Sequence, residues 1–376
     1  MRIAYVSLST PFSRASWSGI PWYSLREVQR RFPDTHVIDT PGSDKLVDRI
    51  ATIERFGMNV RRNNLIAQYY SQAINEQLER LQPDAVIAVA AAHKIAYLDR
   101  KWPLIYVADA MYGTVVHYYD KYARNGTRWK AKGDALQRSL LERTDRILLG
   151  STWAVEAAKQ YYDLPAELMA VAPMGANLDS DPGFEPPALD RPLSLLFVGY
   201  NWDRKGGPLI LDIWRELRRR TGNAELHIVG ARPKAADGLD GVILHGRLNK
   251  TDPGQYETFL SLYRDAHFFI MPSRQEAYGI VYCEAAAFGR PAIAAQTGGV
   301  GTIVGDDRTG LLFPLEATPA DYADRILALW SQPEAYVAMC RAARKNYEVN
   351  LNWHSWGGIV ENAVREAVAK RLTAAG

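Results

Sequence analysis

The sequence predicts an α/β protein built as two doubly wound parallel-sheet domains. Three observations point there. Short apolar or β-branched runs alternate with longer stretches of helical period. The alternation restarts after a proline- and aspartate-rich interval near the middle. The chain, at 376 residues, is long enough for two domains of ordinary size, each with its own core.

In chain order, the first half offers the strands "RIAYVSL", "HVIDT", "DAVIAVA", "PLIYVAD", "RILLGS" and "LMAVAPM", with helical patterns such as "YSLREVQRRF" and "YYSQAINEQLERL" between them. The second half offers "LSLLFVGY", "AELHIVG", "GVILHG", "HFFIMPS", "RPAIAAQ" and "GLLF", with helices including "PLILDIWRELRRR" and "QYETFLSLYRDA". The interval "NLDSDPGFEPPALDRP" (Asn177 to Pro192) has no periodicity and reads as a linker. The expected division is a first domain over 1–180, a second over 190–350, and a final helix over 351–376 that joins either one. A ligand would bind in a cleft at the C-terminal ends of the strands.

Composition narrows the function classes. A formal charge of +3 is too small to argue for a nucleic-acid partner. The two cysteines, Cys283 and Cys340, stand outside any CxxC or Cys/His cluster, which speaks against a disulfide framework or a zinc site and fits a reducing cytosol. "MRIAYVSLSTPFS" reads as a first strand rather than a signal peptide, and no apolar run approaches the ~20 residues of a membrane span, so a cytoplasmic protein is expected. The seven histidines show no ligand spacing; His227, His245 and His267 fall in strands and read as core or loop residues. GxGxxG after the first strand, GxxxxGK[ST] and GxSxG are all absent, so dehydrogenase, P-loop and serine-hydrolase readings lose their support.

"SRQEAYGIVYCEAAAFGRP" (Ser273 to Pro291) sets two glutamates eight residues apart in an apolar segment. Ser273 to Tyr278 is a loop at the C-terminal edge of the sheet, and "GIVYCEAAAFG" is a helix closed by Gly289. Ala277, Tyr278 and Gly279, with Ile280 opening the helix, stand where a phosphate is favoured. Glu276 then projects beside the phosphates, and Glu284 lies further along the helix within about a quadrant of it. A buried carboxylate must be paired. Two ribose hydroxyls would satisfy Glu284; so would a local arginine.

This segment matches the E-x7-E signature of the retaining nucleotide-sugar glycosyltransferases of family 4, which have the two-domain GT-B fold. "FVGYNWDRKGG" (Phe197 to Gly207), "TGGVGTIVGDDRTGLLFP" (Thr297 to Pro314), "DRILLGSTWAVEAAKQYYDLPAELMAVAPMGAN" and "SWSGIPWY" (Ser16 to Tyr23) resemble further motifs of that family in its order. The resemblance implies a retaining transferase that moves a hexose-type sugar from a nucleoside diphosphate to a hydroxyl acceptor, a glycan, glycolipid or small molecule. It implies a UDP- or GDP-sugar in preference to an ADP-sugar, with no metal or other cofactor.

Residue by residue, the resemblance assigns Glu276 to the donor sugar and Glu284 to the ribose. Lys205 and Arg204 go to the diphosphate; Tyr200 stands where most members have the arginine, and Arg204 takes its part. Gly19, Gly298 and Gly299 would let backbone approach phosphate or sugar, although Gly301-Thr302 replaces the Pro-Glu of many members. "LHGRLNK", including Leu248, would hold the nucleobase by its backbone. Asp109 stands where members carry a histidine and would orient the transferred sugar; as a bare residue it reads equally as a helix N-cap. Two other functions remain open, a GT-B sugar-nucleotide 2-epimerase and a non-catalytic nucleotide-sugar-binding protein. "KYARNGTRWKAK" (Lys121 to Lys132), five basic residues without an acid, reads either as a solvated face or as a docking patch for an anionic membrane.

Overall fold

The structure is a computed structural model that describes residues 1–51, 60–123 and 126–375. It divides into two compact units, Met1–Pro173 with Trp356–Gly376, and Met174–Ser355.

All twelve runs expected to be strands are strands. The first unit contains β1 (Ile3–Ser7), β2 (Thr35–Val37), β3 (Ala85–Val89), β4 (Leu104–Ala108), β5 (Arg146–Leu149) and β6 (Met169–Val171), in the sheet order β2-β1-β3-β4-β5-β6. Every pairing is parallel. In β1, β3 and β4 every residue is buried, so both faces of the sheet are covered. The connections carry α1 (Ile20–Arg31), α2 (Pro41–Ile50), α3 (Asn64–Leu81), α4 (Ala92–Ile95), α5 (Tyr112–Tyr118), α6 (Thr127–Leu141) and α7 (Thr152–Tyr162).

The second unit repeats the plan with β7 (Leu193–Gly199), β8 (Ala224–Gly230), β9 (Val242–Gly246), β10 (Phe268–Met271), β11 (Ala292–Ala295) and β12 (Gly310–Phe313), ordered β12-β11-β10-β7-β8-β9 and again parallel. Its helices are α8 (Gly207–Thr221), α9 (Pro253–Asp265), α10 (Ile280–Ala287), α11 (Val300–Ile303), α12 (Pro319–Trp330) and α13 (Pro333–Val349). The last helix, α14 (Trp353–Ala375), is fastened from Trp356 onward to the first unit. Trp356, Val360 and Val364 are buried, Arg31 bonds Glu361 at 2.7 Å, and Arg371 grips Asp145 with two bonds.

One expectation is corrected. Asn177 to Pro192 is not a loose linker, because its backbone is pinned to the second unit. Arg290 donates to the Glu185 carbonyl at 3.0 Å, Arg344 forms a two-pronged pair with Asp181, and Lys250 reaches the Asn177 carbonyl at 3.3 Å. Proline and aspartate here serve an extended, hydrogen-bonded segment, and the second unit begins at Met174.

Each sheet has one point where the chain reverses its direction of winding. In the first the switch falls between β1 and β3, and in the second between β7 and β10. Crevices at such points, outside the carboxyl ends of the strands, are where open α/β sheets take ligands. The helix starts differ accordingly. Asn63, Ser151, Asp252 and Thr318 cap α3, α7, α9 and α12 with side-chain bonds. By contrast α1, α8 and α10, which follow β1, β7 and β10, begin at the left-handed glycines Gly19, Gly206 and Gly279 without a side-chain cap.

Candidate functional site

At the switch point of the second sheet two loops meet. The first leaves β7 at Gly199 and turns through Asn201, whose carbonyl accepts from the Lys205 amide at 3.0 Å and whose side chain accepts from the Arg204 amide at 3.1 Å. Gly206 then starts α8 with φ +79°; a Cβ there would stand 2.2 Å from the Pro272 carbonyl oxygen, so only glycine allows the loop to lie against the strand end of β10. The second loop, Ser273 to Gly279, is tied to the first. The Arg274 amide donates to the Arg204 carbonyl at 2.8 Å, and Arg204 Nη1 donates to the Gln275 carbonyl at 2.6 Å.

This arrangement brings Arg204, Lys205 and Glu276 together across a separation of 71 residues. Glu276 is 6% exposed. Its Oε2 accepts from Lys205 Nζ, lies 3.7 Å from Arg204 Nη1, and is 3.4 Å from Ser273 Oγ. The Glu276 carbonyl accepts from the Gly299 amide at 3.1 Å, which places Gly298 (φ +50°) and Gly299, at the start of α11, beside the same loop. Ala277, Tyr278 and Gly279 immediately precede Ile280, the first residue of α10. Gly279 has φ +91°, and a Cβ would meet the Tyr282 ring at 2.6 Å. The Tyr278 side chain points away from solvent, bonding the Met174 carbonyl at 2.6 Å, so it anchors the loop.

Glu284, inside α10, is 2% exposed. Lys250 donates to its Oε1 at 2.7 Å and Tyr263 to its Oε2 at 3.1 Å. The local arginine considered from sequence is therefore a lysine from the loop after β9, the loop that also carries Leu248. Lys250 lies over the Phe259 ring at 4.0 Å, which fixes its stem. Both carboxylates of the E-x7-E pair are thus buried beside a lysine, as burial of charge demands. Lys250, Tyr263 and Ser273 had not been singled out as site residues.

The neighbouring thiol is inert. Burial pushes Cys283 up to about 12, against the opposing effect of its contact with the Tyr278 hydroxyl, so it stays protonated near neutrality. Tyr200, in the place of the expected arginine, is 66% exposed with Arg247 over its ring at 5.3 Å. Asp306 and Asp307 form a surface turn paired with Arg325 at 2.8 and 2.7 Å. Among the described residues no group of three or more His, Cys, Asp or Glu side chains is placed to hold a metal ion.

Two of the expected residues lie on the first unit. Gly19 (φ +89°) ends a left-handed run with Trp17 and Ser18 in the loop after β1. Asp109 directly follows β4 and its Oδ1 accepts from the Ala110 amide at 2.9 Å. It is not the cap of α5, whose N-cap is Met111. In the basic stretch Lys121 to Lys132, Lys121 lies over Tyr122 and Lys132 over Trp129, at 4.7 and 4.8 Å; Arg124 and Asn125 lie outside the described residues. Among the described residues no helix is long and apolar enough to cross a membrane.

Comparison with known proteins finds similar sequences and similar folds. Residues 192–332, which hold β7 to α12, match the family model described as glycosyl transferases group 1. A D-inositol 3-phosphate glycosyltransferase of Arthrobacter sp. (strain FB24) is 30% identical over 249 residues, covering 59% of this chain and 58% of the relative. A protein of the same description from Rhodococcus opacus (strain B4) is 27% identical, covering 60% and 54%. The chain thus matches little more than half the length of these relatives. Among solved structures, a sucrose-phosphate synthase from Thermosynechococcus elongatus superposes with a TM-score of 0.70 at 17% identity, covering 100% of both chains. The Anabaena protein HepE in complex with UDP does so with a TM-score of 0.67 at 13% identity, covering 97% of this chain and 100% of the other. The fold is GT-B, two six-stranded parallel α/β sheets.

Proposed function

Because residues 192–332 are a glycosyl transferases group 1 domain on a GT-B fold, we propose that this protein is a glycosyltransferase. It moves a hexose-type sugar from a nucleoside diphosphate, UDP or GDP, to a hydroxyl acceptor, with retention at the anomeric carbon. The observation that carries the proposal is the Arg204–Lys205–Glu276 cluster at the switch point of the second sheet, with Glu284 on the adjoining helix.

The division of labour follows from charge. Glu284 accepts hydrogen bonds from ribose hydroxyls while Lys250 and Tyr263 hold it in place. Gly279, Ile280, Gly298 and Gly299 present backbone to the phosphates. As the acceptor oxygen bonds to the anomeric carbon and the bond to the phosphate oxygen breaks, negative charge grows on the leaving diphosphate. Lys205 and Arg204 stabilise it there, in the part a metal ion would otherwise play. Attack comes from the face the diphosphate leaves, and a phosphate oxygen takes the acceptor's proton, so no protein nucleophile is needed. Glu276 accepts hydrogen bonds from hydroxyls of the transferred sugar. The relatives named above are described as glycosyltransferases, which favours transfer over epimerisation.

The test is a thermal-shift panel of nucleoside diphosphates, in which the correct base stabilises the fold by mass action. No stabilisation by any of them at saturating concentration would sink the proposal. A peripheral contact with anionic membranes through Lys121, Arg128, Lys130 and Lys132 is part of it, each basic residue contributing ~1 kcal/mol near such a surface. Co-sedimentation with anionic but not neutral vesicles, lost at high salt, is the expected result.

A further inference from the structure

Three adjacent strands of the second sheet end on glycine. β7 closes at Gly199, β8 at Gly230 and β9 at Gly246, and the strands lie side by side in that order. Gly199 pairs with Gly230 and Val229 with Gly246, so the three ends lie within one residue of each other along the carboxyl edge. This edge adjoins the switch point, where open α/β sheets take ligands.

The side chains that follow these glycines converge. A Cβ on Gly230 would stand 2.6 Å from the Gly199 carbonyl oxygen and 3.2 Å from the Tyr200 ring, and one on Gly246 would stand 2.7 Å from Arg232 Nε. Tyr200 therefore lies against the end of β8, and the Arg232 guanidinium against the end of β9. Arg247, directly after Gly246, brings its own guanidinium to 5.3 Å from the centre of the Tyr200 ring. All three residues are exposed. Among the described residues neither Arg232 nor Arg247 has a hydrogen bond or an ion pair. That sets them apart from Arg215, Arg218, Arg219 and Arg220 of α8, each of which is matched by an acid.

The chemistry of the cluster points to one kind of ligand. Lys250, on the same loop as Arg247, holds Glu284, the carboxylate proposed above to take the ribose. A base joined to that ribose meets this loop. An exposed tyrosine ring stacks on any base and does not choose among them. The arginines do choose. A guanidinium is a fork of donors without an acceptor. Guanine offers it two adjacent acceptors, O6 and N7, and takes both bonds at once. Adenine sets an amino donor beside N7, and uracil has only O4 on the corresponding edge.

We propose that Tyr200, Arg232 and Arg247 form a guanine-selective base subsite, so that the preferred donor is a GDP-sugar. This rests on the glycosyl-transfer function above and names the nucleotide for it.

The test is calorimetric titration of GDP, IDP, UDP and ADP into wild type and into the variant carrying Arg232→Gln and Arg247→Gln together. Both positions are exposed, so the variant keeps its fold, with an unchanged Tm as the control. Wild type should bind GDP about tenfold more tightly than UDP or ADP. IDP, whose base keeps O6 and N7 and lacks the 2-amino group, should bind as GDP does. The variant should bind GDP no better than UDP, with its UDP affinity close to that of wild type. UDP or ADP binding to wild type as tightly as GDP would overturn the subsite and leave the donor function standing. A GDP preference that survives in the variant would overturn it too, as would IDP binding as weakly as UDP, which places the readout on the 2-amino group. GDP and UDP weakened equally in the variant would assign the two cations to the phosphates and overturn it as well. Binding of none of the four would remove the donor function and this subsite together.

Discussion

Lys250 Nζ stands 2.7 Å from Oε1 of Glu284, joining the loop after β9 to the interior of α10. The carboxylate proposed to take the ribose is thereby held by a cation 34 residues away, with Tyr263 on its other oxygen. Glu284→Gln removes a charged acceptor and leaves that lysine without its acid. Affinity for the nucleoside diphosphate should fall by ~1.5–3 kcal/mol, the scale for hydrogen bonds to charged groups. Calorimetric titration with UDP and GDP measures it; affinity equal to wild type would remove the ribose assignment.

Lys205→Ala should act on turnover more than on donor affinity, because the ammonium matters most when charge has moved onto the leaving phosphate. Removing one such stabiliser costs ~100-fold or more in kcat where it acts alone. Steady-state kinetics should show kcat and kcat/KM falling together. A rise in KM with kcat unchanged would mean that the lysine only binds the ground state.

If Arg204 and Lys205 supply the cationic charge at the diphosphate, as proposed, turnover should persist in EDTA. Loss of activity in chelator, restored by manganese or magnesium, would show that the cluster is insufficient by itself.

Asp109→Asn keeps the size of the side chain and the bond from the Ala110 amide while removing the charge. If Asp109 orients the sugar, kcat should drop by about tenfold with Tm nearly unchanged. Turnover close to wild type in this variant would leave the aspartate a purely local role after β4.

Glu27 gives the first unit a pH dependence. Burial pushes its carboxyl up, but Arg30 and Arg31 outweigh that and hold it below its ordinary value of 4.5. A carboxylate lowered in the folded state adds stability above its unfolded pKa and loses it as pH falls through the folded one. Thermal melts should therefore weaken below about pH 4.5, and Glu27→Gln should flatten that part of the profile. An unchanged acid limb would assign the acid sensitivity elsewhere.

Much of this was legible in the chain. Each of the twelve strands is a local event, a short apolar run between turn residues, and the alternation with helices dictates parallel pairing. Gly279 is legible as the junction of loop and helix, because the apolar run of α10 begins directly after it. Partnerships could not be read in the same way. Lys250 reaches Glu284 only after β9 and β10 have taken their places in one sheet, and nothing in "LHGRLNK" marks its last residue as a counter-ion. The stretch Asn177 to Pro192 misled for a related reason. Its composition is that of a linker, while its order comes from arginines as far away as position 344.

The placement of α14 has a consequence for how the polypeptide matures. Synthesis runs from the amino end, yet the surfaces of Glu27, Arg31 and Asp145 that α14 covers wait for residues 356 to 371. All of the second unit, Met174–Ser355, leaves the ribosome before that helix does. The unit encoded first is thus the one completed last, while the second is free to fold as an uninterrupted piece. A released chain truncated after Ser355 should already bind UDP, yet its first unit should remain open to proteolysis without residues 356 to 371.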